Sequence, residues 1–248
     1  MSKPSAAVPP RAARALHAAL LAVAAGLLAA CASRAPAPSP AGEGALVVGF
    51  VVVDGVYNTE LTAPYDMFHH TPFHTMPGMR VFTVGPSRAP VTTFEGLRLL
   101  PDHTFDDAPP VDVLVVPSAE HSMDSDLEDE ALMAYVRRAG AEADHLLSLC
   151  DGAFVLAAAG LLDGLECTTF PDDIEAFRER FPDLTVHEGV SFVHDGKAIT
   201  SAGGAVSFDA ALYLVELLYG AEVARGTAAG LVIDGDEDAV EHVVVAAR

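Results

Sequence analysis

Residues 45–53 read ALVVGFVVV and residues 111–116 read VDVLVV. Such unbroken β-branched apolar runs are strands that need a covering layer on both faces, so they constrain the fold more than any other feature of the chain. Helical patterns alternate with them. They cover Leu61–His70 with Pro64 near its start, Asp126–Ala139 with Arg137 and Arg138 late, Ala153–Leu162, Asp173–Phe181 and Val206–Tyr219. Shorter strands are expected at Arg80–Val84, His145–Leu149, Thr185–His187, Ser191–Val193 and Ala198–Ser201, with a small hairpin within Val91–Leu100. The alternation predicts an α/β fold with a doubly wound, mainly parallel sheet flanked by helices. Residues 221–248 form a C-terminal extension, strand-like at Gly230–Ile233 and Val243–Val245 on either side of the acidic Asp234–Asp238.

Charge and composition exclude several function classes. Of the 248 residues 51% are hydrophobic, enough to bury a full core. Only 14 Lys and Arg face 35 Asp and Glu. That balance argues against a nucleic-acid surface and against electrostatic adhesion to anionic lipid. Three cysteines are too few for a disulfide scaffold.

The N-terminus reads as a targeting segment. Lys3, Arg11 and Arg14 precede the apolar run Leu16–Ala30, which is short for a membrane span and fits a signal h-region. It ends in Leu28-Ala29-Ala30-Cys31, resembling a bacterial lipobox with Cys31 as the lipidated first residue of the mature chain. The expectation is a signal peptide over 1–30, a flexible Pro/Ala/Ser/Gly tether over 31–44 and a folded domain over 45–220. An extracytoplasmic lipoprotein follows, anchored in the outer membrane where there is one and meeting the membrane only through its lipid. An ordinary signal peptide or a spanning helix containing Cys31 is the alternative.

The chemical signal is Leu147-Ser148-Leu149-Cys150-Asp151-Gly152-Ala153. A strand ends, a Cys follows and a helix begins, which exposes the thiol at the carboxyl edge of the sheet. The helix dipole is expected to lower the thiol pKa. A buried structural Cys is the competing interpretation.

The stretches CDGAFVLAAAGLLDG, TTF and VHDGKAITSAGGAVSFDAALYLVELL, with Glu60-Leu61-Thr62-Ala63-Pro64-Tyr65-Asp66 after the first strand, resemble the DJ-1/PfpI superfamily. The resemblance is nearest in character to isonitrile hydratases and the sensor domains of AraC-type regulators. It implies a flavodoxin-like fold, Cys150 as nucleophile and Glu60 as a protonated acid hydrogen-bonded to the sulfur. Pro117-Ser118-Ala119 stands where the family usually has Pro-Gly-Gly, so the N–H groups of Ala119 and Asp151 are expected to form an oxyanion hole.

The match has departures. Thr168-Thr169-Phe170 stands where relatives with a Cys–His pair carry Thr-Thr-His, so the usual acid–base histidine is absent and peptidase activity should be low. Asp151 replaces the His or Thr often found after the nucleophile and opposes thiolate formation. His121, on the loop leaving a central strand, is the best-placed substitute base, with a plain surface histidine as the alternative. His69, His70 and His74 lack the carboxylate or Cys partners of a metal site, and neither metal nor cofactor is implied. Cys167 reads as buried, with a Cys150–Cys167 disulfide an option in an oxidising compartment.

Three functions remain open: a cysteine-dependent hydratase or hydrolase acting on a small electrophile, a small-molecule-binding or cysteine-redox-sensing module, and an envelope protein that has kept only the fold. The partner is a small molecule in the first two, and a homodimer is compatible with all three.

Overall fold

The strands expected from the apolar runs form one eight-stranded sheet in the computed structural model, which describes residues 44–233 and 241–246. The chain divides into two units, Met1–Pro40 and Ala41–Arg248, and the first lies outside the described residues. So do the signal segment 1–30, Cys31, all of the tether except Gly44, and Asp234–Asp238.

In chain order the strands are β1 (Val47–Val51), β2 (Arg80–Gly85), the hairpin β3 (Val91–Thr92) and β4 (Arg98–Leu99), β5 (His103–Thr104), β6 (Val113–Val116), β7 (His145–Leu149), β8 (Glu166–Cys167), β9 (Thr185–Val186), β10 (Phe192–Asp195), β11 (Ala198–Ser201) and β12 (His242–Val244). The helices are α1 (Asn58–His70), α2 (Glu130–Glu142), α3 (Gly152–Ala158), α4 (Ile174–Arg180), α5 (Ser207–Tyr219) and α6 (Ala221–Gly230). The sheet runs β12-β10-β11-β7-β6-β1-β2-β5, and every neighbouring pair is parallel except β10–β11.

Both faces are covered. Along β6, Val113 and Val115 pack into one core with Leu61, Met67 and Phe68 of α1 and Ala210 and Leu214 of α5. Leu114 and Val116 point the other way, onto Leu132 and Val136 of α2, Phe154 of α3 and Phe177 of α4. Each such side chain contributes about 1.5–3 kcal/mol by leaving water, which is why the strands carry no polar alternation.

The order reverses at β1, with β2 on one side and β6 on the other, so the loops leaving β1 and β6 diverge around a crevice at the carboxyl edge. Backbone contacts tie those two loops together. Val56 and Ala119 form an antiparallel bridge, the Tyr57 N–H donates to Ser118 O at 3.0 Å, and the Glu120 N–H donates to Gly55 O at 3.0 Å.

Some elements differ from expectation. α1 begins at Asn58, so Pro64 is buried in its interior and the N–H that would meet the Glu60 carbonyl is missing. α2 runs on to Glu142 from an Asp129 cap that accepts from the Ala131 and Leu132 N–H groups. Arg137 and Arg138 therefore miss its last turn, and Arg138 donates to Phe105 O instead. Gly230–Ile233 is not a strand. α6 continues through Gly230 and buries Ala224, Thr227 and Ala228, a helical spacing that the β-branched residues after it obscure. The Val243–Val245 expectation corresponds to β12, paired in parallel with β10. Among the described residues no helix is long and apolar enough to cross a membrane.

Candidate active site

The turn between β7 and α3 holds Cys150 at φ 54, left-handed backbone that a non-glycine residue adopts only when its surroundings impose it. Three neighbours impose it. The Cys150 N–H donates to Ser201 O at 2.9 Å, which continues the β7–β11 ladder by one residue. Its carbonyl accepts from Thr169 Oγ1 at 3.2 Å. The turn is also pressed between two glycines. A Cβ on Gly152 would lie 2.0 Å from Val116 O, and one on Gly203, itself at φ 82, would lie 2.4 Å from the Cys150 Cβ. The strand–nucleophile–helix reading of 147–153 therefore describes the geometry.

Cys150 is 7% exposed, and its thiol pKa is raised, by burial first, then by the charge of Asp151 and then by that of Glu60. The Asp151 N–H and the Ser118 hydroxyl face the sulfur and act the other way without reversing the outcome. This corrects the expected thiolate. α3 is only seven residues long, and desolvation with two carboxylates outweighs its dipole. The resting group is a thiol, and it donates to Asp151 Oδ2 at 3.7 Å.

The hydrogen-bonding partner of the thiol is thus Asp151, where Glu60 was expected. Glu60 is buried and projects from the first turn of α1 towards the same site, with Oε1 accepting from the Gly204 N–H at 2.9 Å. It acts on the sulfur through its charge. The Asp151 carboxyl is pushed up to about 6, by burial first and then by the Asp173 charge, while Thr169 Oγ1, donating to Oδ1 at 3.1 Å, pulls it down.

Two further expectations change. The Ala119 N–H is spent on Ser122 Oγ at 2.8 Å, so of the two proposed oxyanion donors only the Asp151 N–H is aimed at the site. His121 is about half exposed and pairs with Asp124 at 3.5 Å, and no histidine is among the groups that act on the thiol. Phe170 is half-buried and leads into the turn Pro171–Asp173. Cys150 and Cys167 are free thiols, and the Cys167 Sγ donates to Thr185 O at 3.8 Å. Of the histidine cluster, His69 packs on Tyr65 and His70 pairs with Asp66.

Sequence reasoning missed Thr169, which bonds both the elbow carbonyl and Asp151, and Asp173, which acts on Asp151 across the turn. It also missed Tyr57, whose hydroxyl pKa is raised by burial first and then by its neighbours Cys150, Glu60, Asp151 and Glu120. The Ser118 hydroxyl is fully buried at the sulfur and makes no other hydrogen bond. Thr168-Thr169 was visible as part of the motif. Tyr57 and Asp173 carried no sequence signal, because their place depends on where two loops land.

Comparison with known proteins agrees with this geometry. The model of the DJ-1/PfpI family matches residues 47–217. An isonitrile hydratase of Pseudomonas putida is 34% identical over 182 residues, covering 73% of this chain and 75% of that protein. The HTH-type transcriptional regulator GbdR of Pseudomonas aeruginosa is 25% identical over 76% of this chain, which spans only 51% of the regulator. Among solved structures, a ThiJ/PfpI family protein from Pseudomonas syringae superposes with a TM-score of 0.70 at 26% identity, covering 83% of this chain and 84% of its own. Drosophila melanogaster DJ-1beta, at 20% identity and a TM-score of 0.66, shares the fold. On the matched family model, the sheet order and the strained cysteine between β7 and α3, the chain belongs to the DJ-1/PfpI family.

Proposed function

We propose that the protein is a cysteine-dependent enzyme that hydrates a small electrophile of the isonitrile type. The observation that carries this reading is the strained, buried Cys150, whose thiol proton is already directed at a carboxylate rather than at a histidine. The 34% identity to an isonitrile hydratase supports the substrate class. An amide needs its leaving nitrogen protonated, the usual task of the histidine whose place Phe170 takes. An isonitrile has no leaving group.

The chemistry balances with these residues. The Cys150 sulfur bonds to the terminal isonitrile carbon as the thiol proton passes through Asp151 to that carbon, giving a thioimidate. Water then adds to the carbon, its proton taken by a site carboxylate and delivered to nitrogen. The C–S bond breaks as the hydroxyl proton returns to sulfur, releasing an N-substituted formamide and the free thiol. Glu60, fixed by the Gly204 N–H, is the second acid of this relay. The purified protein should convert an alkyl isonitrile to its formamide, followed by NMR, and Cys150→Ala should reduce the rate by at least about a thousandfold. Turnover that survives Cys150→Ala would overturn the proposal. Isonitrile binding without turnover would favour the sensing reading, to which the match with GbdR lends weight.

We further propose an extracytoplasmic location, with the chain lipid-anchored at Cys31, on the strength of the Leu28–Cys31 box. Cys31→Ser should abolish incorporation of labelled fatty acid and either release the protein or leave it as an uncleaved precursor. Unchanged labelling and membrane attachment would refute the anchor.

A further inference from the structure

The surroundings of Cys150 are charged with one sign only. Glu60 comes from α1, Asp151 from the elbow, Asp173 from the turn before α4, and Glu120 from the loop after β6. Glu120 is fixed by its N–H to Gly55 O, with its Cβ packed so closely on Gly55 that a side chain there would meet it at 2.9 Å. The charged side chains that act on the Cys150 thiol, on Asp151 and on the Tyr57 hydroxyl are the carboxylates Glu60, Asp151, Asp173 and Glu120. The Tyr57 ring stands between these acids and the exposed Phe94, with ring centroids 4.6 Å apart. At the bottom, the fully buried Ser118 hydroxyl faces the sulfur and has no other partner, so it is free to meet a bound molecule.

From this arrangement we infer that the site admits electrophiles in the order cationic, then neutral, and excludes anionic ones, the carboxylates and the Tyr57 face forming the selecting wall. Asp151 lies 3.7 Å from the sulfur, Glu60 acts on the same thiol, Asp173 acts on Asp151 and Glu120 on Tyr57, and fields from a partly desolvated site act on an incoming charge far more strongly than the same groups in water. An aromatic face beside them adds attraction for a cation and none for an anion. The inference rests on the reading of Cys150 as the reacting group and narrows the substrate: a polar substituent near the reacting carbon should be an ammonium or an uncharged group, not a carboxylate, sulfonate or phosphate.

The test uses three methanethiosulfonates that deliver a trimethylammonium-ethyl, a methyl or a sulfonatoethyl group. In each, the Cys150 sulfur attacks the sulfenyl sulfur, an S–S bond forms, methanesulfinate leaves and the thiol proton goes to solvent. Rates are read by mass spectrometry of the Cys150 peptide and divided by the rate of the same reagent with a free small thiol, so that the suppressed reactivity of the thiol cancels. The normalised ratio of cation to anion should exceed unity by at least about tenfold and fall with added salt. Glu120→Gln should lower that ratio by about threefold. Equal normalised rates for cation and anion would overturn this inference and leave the nucleophile standing. Failure of all three reagents to label Cys150 would overturn both.

Discussion

Asp151→Asn is expected to stabilise the protein at neutral pH by up to about 3 kcal/mol and to flatten its stability profile between about pH 4 and 7. The Asp151 carboxyl rises from 3.8 to about 6 on folding, because burial and the Asp173 charge disfavour its ionised form. Below the unfolded value it is neutral in both states and imposes no penalty. As pH rises through 6 the unfolded chain has already released the proton that the folded chain still holds, so stability is lost across that window. Asn stays neutral throughout and can still accept from Thr169 at Oδ1, where the wild-type bond is 3.1 Å. Denaturant titrations at pH 4.5 and 7.5 check this: a variant whose stability falls with pH as steeply as the wild type would contradict it. The same substitution should lower the thiol pKa, because Asp151 is the largest cause of its elevation after burial, while removing the proton acceptor and with it turnover. Faster alkylation with lost hydration would separate the two roles.

Gly152→Ala is expected to be the most damaging Gly→Ala change among the described residues, costing about 4 kcal/mol or more and leaving little folded protein. The added Cβ would sit 2.0 Å from Val116 O, where β6 is held in the middle of the sheet and cannot retreat without breaking its pairing with β7. Gly164→Ala is the control. Unlike Gly152, Gly164 has positive φ, at 73, and a Cβ there meets nothing within 4 Å, so only the backbone preference of about 1 kcal/mol is lost. Equal destabilisation by the two substitutions would show that the close approach to Val116 O is not what makes Gly152 necessary.

Local signals were enough for the sheet. The runs at 45–53 and 111–116 carry their own periodicity, and a strand covered on both faces has no polar side to hide. His145–Leu149 and Ala198–Ser201 have the bounds expected of them for the same reason. The extension was harder. In α6 small residues bury at helical spacing, so Val232 and Ile233 beyond its end dominated the local pattern and suggested a strand.

At the site, sequence by itself determined that a cysteine directly follows β7, that glycine comes two residues later, that Glu60 stands at the start of the first helix and that no histidine stands at 170. These are properties of residue type and order, and the close packing of strand, elbow and helix translates them directly into position. Only the tertiary structure decided what the thiol feels. Its pKa direction is a sum over groups from 60, 118 and 151, while 57, 120, 169 and 173 complete the surroundings, all brought together by loops whose paths have no periodic signal. The Ala119 N–H looked available until Ser122 was seen to take it, and His121, offered as a substitute base, is paired with Asp124. Electrostatics and hydrogen-bond competition depend on distances of a few ångströms between residues far apart in the chain, and those distances exist only in the fold.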